Sequence, residues 1–184
     1  MADILATTGG RLFTKGLAGQ AADAGPQVLD TVYNEATTGG LDSSTGLLDF
    51  GVACKVGSGT NAAGRLNVAP IETSDTAATV AGITSRLPIV KSANPSDNVT
   101  GWPSKHSVSI VRIGRRFAIP CENVRENDQV FAISASKGQL GGSTVAGAGS
   151  GRLIVKGAVW ETTTAAGAVG IIKISDRGTP VLYS

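Results

Sequence analysis

Histidine is almost missing from this chain of 184 residues: His106 stands alone, and the two cysteines, Cys54 and Cys121, lie far apart and outside any Cys-x-x-Cys pattern. A zinc site or a redox pair therefore has no ligand set to draw on, and each cysteine reads as a small buried hydrophobe. A hydrolase triad would have to use His106, but no Gly-x-Ser-x-Gly elbow occurs and the adjacent Lys105 disfavours a protonated imidazole, so His106 reads as a solvated loop residue. Neither Gly57-Ser58-Gly59 nor Gly147-Ala148-Gly149-Ser150-Gly151 ends in the Gly-Lys-Ser/Thr of a phosphate loop. Glu122, Glu126 and Asp128 are interleaved with Arg125 and Asn127, which reads as a solvated mixed-charge loop and not as a glycosidase pair. The expectation is a protein with no catalytic residues, no cofactor and no metal.

Other shortages bound the partners. Aromatic residues are 4% of the chain, so the core must be built from Val, Ile, Leu and Ala with few large anchors, and such a core gains from partners. Sixteen Lys and Arg against 14 Asp and Glu leave a formal charge of +2, too weak a field to make nucleic acid the main ligand. No apolar window approaches the ~18 residues of a membrane span. The start, Met1-Ala2-Asp3-Ile4-Leu5-Ala6, lacks the basic stretch and apolar run of a secretory signal, so synthesis in the cytoplasm is expected.

What the chain does have is a succession of short β-type runs: Ser107–Ile113, Arg116–Cys121, Gln129–Ser134, Arg152–Val155, Ala158–Glu161 and Ala168–Ser175. Upstream, Phe50, Val52, Cys54 and Val56 fall on one face of a strand, Val80–Thr84 forms another, and Val28–Tyr33 fits either a strand or one helical turn. Many short strands with turn signals between them predict an all-β chain, a small β-barrel or jelly-roll-like domain over residues 27–184. Residues 1–26, with Gly9-Gly10, Gly16, Gly19 and Gly25 and no sustained period, predict an extended N-terminal arm that needs a surface to lie on. Ser85–His106, with three prolines, and the small-residue tract Gln139–Gly151 are expected as long loops. No exact internal repeat is present.

The clearest local expectation is a hairpin turning at Gly114-Arg115, which would pair Arg112 with Phe117 and Ile110 with Ile119 and fray at Pro120. Arg115 and Arg116 would then sit at its tip, either docking an acidic surface or simply solvated. Trp102, between Gly101 and Pro103, either anchors a partner or folds back over the barrel, while Trp160 follows an apolar run and reads as core.

The order of the pieces resembles the structural cement, or capsid decoration, proteins of tailed bacteriophages. The resemblance runs through Gly16-Leu17-Ala18-Gly19-Gln20 and Ala22-Asp23, through Phe50-Gly51-Val52-Ala53 and Ala81-Gly82-Ile83, and through Val108–Ile119. It continues at Asp128-Gln129-Val130-Phe131, where Asn127 stands at a position usually held by Gly, and closes with Gly157–Thr162 and Ala165–Val169. It implies a virion protein on the outer surface of the head, bound to an HK97-type major capsid protein and to itself as a homodimer or trimer. Candidate capsid or self-interface residues are then Arg11, Phe13, Gln20, Trp102, Arg115 and Arg116. The competing reading is a virion adhesion or carbohydrate-binding module, which calls for aromatic platforms that this composition scarcely supplies.

Overall fold

The computed structural model describes residues 5–6, 12–13, 17–23, 25–36, 48–75, 78–86, 101–143 and 151–175. These form β1 (Leu5–Ala6), β2 (Leu12–Phe13), β3 (Val28–Asn34), β4 (Leu48–Asp49), β5 (Ala53–Thr60), β6 (Leu66–Pro70) and β7 (Val80–Thr84). Then come β8 (Gly101–Trp102), β9 (Ser107–Ala118), β10 (Gln129–Ile133), β11 (Gln139–Ser143), β12 (Arg152–Trp160) and β13 (Gly170–Ile174). A 3-10 turn, Ser134–Ser136, joins β10 to β11, and the described residues contain no α-helix. The expected all-β class is what the chain adopts.

Five strands close a barrel. The order is β9–β3–β6–β5–β7, and β7 returns to β9 through Ile83 opposite Val111 and Thr84 opposite Ile110. Each strand sends a side chain inward: Val32, Cys54, Val68, Ala81, Val108 and Ile110 form one buried cluster, joined by Leu48 of the small β4–β8 ladder. Closure removes the open edges on which other chains could add. The second unit is a curled sheet in the order β11–β10–β12–β13–β9, with Val130, Ala132, Leu140, Leu153, Trp160 and Ile172 on its inner side. The same cluster takes in Ala53, Ile71, Ile83 and Val111 from the barrel, so one core binds the two units. Each fully buried Ile or Leu in it contributes about 1.5–3 kcal/mol.

The hairpin expected at Gly114-Arg115 is not formed. β9 runs unbroken through both residues, its first half pairing with β3 and its second with β13. Gly114, at φ 134°, is where the strand passes from barrel to sheet. A kinked strand and a tight turn ask for the same backbone freedom, and what separates them, the partners at 28–33 and 170–174, lies far away in sequence. Likewise Arg152–Val155 and Ala158–Glu161 are one strand with a bulge. Gly157 there has φ 71°, and the Gln129 amide donates to Val155 O and Ala158 O at 2.9 and 2.8 Å, satisfying carbonyls that the bulge takes out of the ladder. The loop expected over Gln139–Gly151 begins instead as β11. Gly141 and Gly142 serve it because a Cβ at Gly141 would meet the Glu122 carboxylate at 2.5 Å.

The second sheet contains a repeat that the side chains conceal. Asn127 N donates to Trp160 O while Gly167 N donates to Pro120 O, each at 2.8 Å. Val124 and Thr164 exchange both backbone bonds. Glu126 N donates to Thr163 Oγ1 and Ala166 N to Asn123 Oδ1. Asn127 and Gly167, both left-handed at φ 69° and 77°, occupy equivalent corners. Residues 120–128 and 160–168 are thus two copies of one corner, locked face to face by a pseudo-two-fold.

Candidate functional site

Part of the arm expected over residues 1–26 has a seat on its own chain. Residues 17–23 form a strap along the side of β9 opposite β13. Gly19 N donates to Phe117 O, Phe117 N to Gln20 O and Ala22 N to Arg115 O, at 2.9, 3.0 and 3.0 Å, and Ala21 bridges Arg116. On the other side Arg86 N donates to Gly19 O at 2.8 Å. The seat admits no side chain at Gly19: at φ 77°, its Cβ would lie 2.8 Å from Gly51 N and 3.0 Å from both Arg86 N and Thr84 O. Gly51, at φ 75°, faces it with equal closeness, 2.6 Å from Gly19 N. The glycines of two separate motifs, Gly16-Leu17-Ala18-Gly19-Gln20 and Phe50-Gly51, are therefore one contact.

Two charge arrangements hold the strap's far end. Arg115 donates from Nη1 to Asp23 at 3.0 Å and from Nε to Glu161 at 2.5 Å. The Arg115 hydrogen bond is the largest influence on Asp23 and holds its carboxyl below the usual range, while Glu161 and then Asp23 raise the guanidinium. Arg116, the next residue, points the other way. It is 1% exposed, its Nη1 donates to Arg115 O at 2.9 Å, and its Nε has no partner. Burial pushes this guanidinium below its ordinary value, and the charge of Asp23 opposes the shift. Alternation along a continuous β9 separates the pair, where a hairpin tip would have exposed both.

Trp102 lies at the near end of the strap. Its indole N–H donates to Ser85 O at 3.0 Å, its ring meets Phe50 edge-on at 5.8 Å, and Arg86 lies over the Phe50 ring at 5.2 Å. Of the two readings of Trp102, the fold-back is the one adopted. Gln20, Trp102, Arg115 and Arg116 thus gather around one strap. Phe13 belongs to β2, paired with Leu5, and Arg11 lies outside the described residues. Sequence reasoning missed Asp23, Glu161, Arg86 and Gly51 as parts of this junction; the Ala22-Asp23 and Phe50-Gly51 motifs were the available signals.

The remaining polar candidates are structural. Glu122 receives Arg152 through both oxygens at 2.7 and 2.6 Å. Asp128, expected in a solvated loop, is 4% exposed and accepts Arg125 N at 2.8 Å, closing the corner. His106 is exposed, as expected, with Nδ1 2.8 Å from Ser104 O. No group of three His, Cys, Asp or Glu able to hold a metal occurs among the described residues.

Comparison with known proteins agrees with this architecture. No curated protein matches the sequence. Among solved structures, a chain from the capsid of Myoviridae phage XM1 is similar at 22% identity with a TM-score of 0.54, covering 87% of this chain and 90% of that one, a likeness of fold. The profile of the structural cement protein family (E217 gp24/Pam3 gp6) matches residues 5–175, a span that takes in the strap, the barrel and the second sheet together. The chain belongs to the phage structural cement proteins and is a structural component of the virion.

Proposed function

We propose that the protein decorates the outside of a head built from an HK97-type major capsid protein, bridging neighbouring capsomers and stabilising the shell against the pressure of packaged DNA. The family match over residues 5–175 carries this reading. A subunit lying across a capsomer seam adds interface that must be lost before the shell opens. Specific interfaces bury roughly 1,200–2,000 Å², and many copies acting on one shell make modest individual contacts collectively strong. Self-association, as a homodimer or trimer, is part of the proposal.

Within it, Gln20 and Arg115 contact the partner from the strap junction. Arg11 and Phe13 precede the strap, so the seat at Gly19 sets where the chain that carries them joins the body. Arg116 and Trp102 lie beneath the junction and do not touch the partner. The adhesion reading gains nothing from Trp102, whose ring and N–H are both engaged within the chain.

The test is cosedimentation of the purified protein with expanded and unexpanded shells that lack it, across a salt series. Saturable binding to expanded shells, with raised resistance to heat, is the expected result. Absence of binding to expanded shells at every salt concentration overturns the proposal.

A further inference from the structure

The chain enters β9 through a lysine in an unfavourable backbone conformation. Asn34, at the end of β3, faces two residues at once: Lys105 N donates to Asn34 O at 2.8 Å, and Asn34 N donates to His106 O at 3.0 Å. Two residues opposite one make a bulge, and where its first residue is left-handed that residue is normally glycine. Lys105 holds the position at φ 58°. The same arrangement recurs where Trp160 faces Asn127 and Asp128, and there the left-handed residue is asparagine, which tolerates it. Glycine would serve the backbone better at 105, and the Lys105 side chain is exposed with no ion pair to the described residues, so its ammonium group adds nothing to the fold.

A second cation stands at the same end of the barrel. Arg65, exposed where the chain turns from β5 into β6, donates from Nη1 to Ser107 Oγ, which fixes its guanidinium beside the Lys105 turn, and it too has no carboxylate partner among the described residues. The one carboxylate that the described residues place here is Glu35, half-buried, and both of its oxygens are taken, by Ser58 N at 2.8 Å and Ser58 Oγ at 2.5 Å. Two exposed cations thus outnumber one engaged carboxylate, on a chain whose formal charge is only +2. Carboxylates on a partner complete such a site. The cluster also lies where a bridging subunit needs a second contact: the strap holds β9 at Arg115–Phe117, and Ser107 begins the same strand roughly 25 Å away along it.

We infer that the barrel end carrying Arg65 and Lys105 docks onto a carboxylate-bearing surface of the capsid shell protein, as a contact separate from the strap junction. The inference rests on the capsid-binding reading and names a second surface that performs it.

Lys105→Gly and Arg65→Gln test it, with Lys137→Gly as the control: Lys137, exposed at φ 52° in the turn that ends Ser134–Ser136, shares the charge and the conformation but lies between β10 and β11 of the second sheet. Binding of each variant to expanded shells is measured by cosedimentation across a salt series, with thermal melting and light scattering on the free proteins. Lys105→Gly is expected to melt at the unaltered temperature or up to ~4 °C above it, because glycine fits the left-handed corner. It is nonetheless expected to bind about fivefold or more weakly at low salt, as is Arg65→Gln, and both deficits should shrink as salt rises. Lys137→Gly is expected to melt as Lys105→Gly does and to bind within about twofold of the unaltered protein. Where the unaltered protein binds and both test variants bind within about twofold of it, the docking end is wrong and the capsid reading stands. An equal deficit in Lys137→Gly makes the effect one of net charge and also overturns the assignment. Loss of the oligomer in the test variants makes the barrel end a self-interface and overturns it likewise. Failure of the unaltered protein to bind removes the capsid reading and this inference together.

Discussion

Replacing Gly19 by alanine isolates what seats the strap. Two penalties fall on the new Cβ. The first is conformational: an L-residue at φ 77° costs about 1–2 kcal/mol, partly offset by the ~0.4–1 kcal/mol that alanine removes from the entropy of the unfolded chain. The second is steric. The Cβ would lie 2.8 Å from Gly51 N and 3.0 Å from two more backbone atoms, none of which can swing aside as a flexible side chain would. Gly64 supplies the reference, since at φ 72° it has nothing within 4 Å of its Cβ position. Gly64→Ala should therefore show the conformational penalty alone, roughly 1 kcal/mol net, or ~2–4 °C in melting temperature for a chain of this size.

The steric cost at Gly19 has a ceiling, because the strap can escape it by leaving. Four backbone hydrogen bonds are then lost, from Gly19 N, to Gln20 O, from Ala22 N and to Gly19 O, at about 1 kcal/mol each. Gly19→Ala is expected to cost roughly 2–4 kcal/mol more than Gly64→Ala. Thermal melts give the energies, and amide hydrogen exchange locates the event: the Phe117 and Arg86 amides, which bond to Gln20 O and Gly19 O, should lose protection while the barrel amides keep theirs. Gly51→Ala should reproduce this, and the double variant should fall well short of additivity, since a departed strap cannot clash twice. A Gly19→Ala protein that melts with Gly64→Ala and keeps its Phe117 amide protected refutes the seat.

Three further outcomes follow from other contacts. The Arg152 hydrogen bond holds Glu122 below its ordinary 4.5, so the pair's contribution is complete above that value and is lost as pH falls through the depressed one; the stability gap between unaltered protein and Glu122→Gln, followed by denaturant titration, should be flat near neutrality and shrink in acid. A gap that grows in acid contradicts the pairing. Asn127 stands at φ 69°, so Asn127→Gly should be neutral or stabilising by up to about 1 kcal/mol in urea unfolding and Asn127→Val destabilising by about 1–2. Arg116 is a buried cation with an unpartnered Nε, so Arg116→Met should raise stability by roughly 1–3 kcal/mol; a lower melting temperature would show that its bond to Arg115 O holds the strap.

How much of this was readable from the chain depends on whether the deciding partner was local. The all-β class, the core position of Trp160 and the strand Val80–Thr84 rest on alternation within a few residues, and they stand; the strand expected over Gln129–Ser134 forms as Gln129–Ile133, with Ser134 opening the 3-10 turn. The strand at Leu66–Pro70 ends in proline, a strand-breaking signal, but Pro70 pairs with Cys54 at the end of β6 where no ladder continues. Gly114-Arg115-Arg116 misled most. Local rules favour a turn there, and only the distant β3 and β13 make it a strand. That single difference reassigns the arginines: a turn exposes both, whereas a strand sends Arg115 out to Asp23 and Arg116 into the core. The junction of the strap was half legible, because its glycines stood in recognisable motifs while their contact did not.

The repeated corner explains why the second sheet hid its symmetry. What the two copies share is backbone: a left-handed corner residue, a side-chain oxygen that accepts an amide of the opposite copy, and a reciprocal bridge at the centre. Each requirement can be met by different residues. Asn or Gly fits the left-handed corner, and Asn123 Oδ1 or Thr163 Oγ1 fits the acceptor, so the corner constrains residue class and leaves identity free. Side chains differ within that freedom, Arg125 and Glu126 in one copy against Ala165 and Ala166 in the other. The two corners therefore give one rigid scaffold with two unlike exposed tips, one charged and one of small residues. A pseudo-symmetric fold can in this way present an asymmetric surface, and in the proposed seam-bridging role that asymmetry is what lets a single subunit tell one side of the seam from the other.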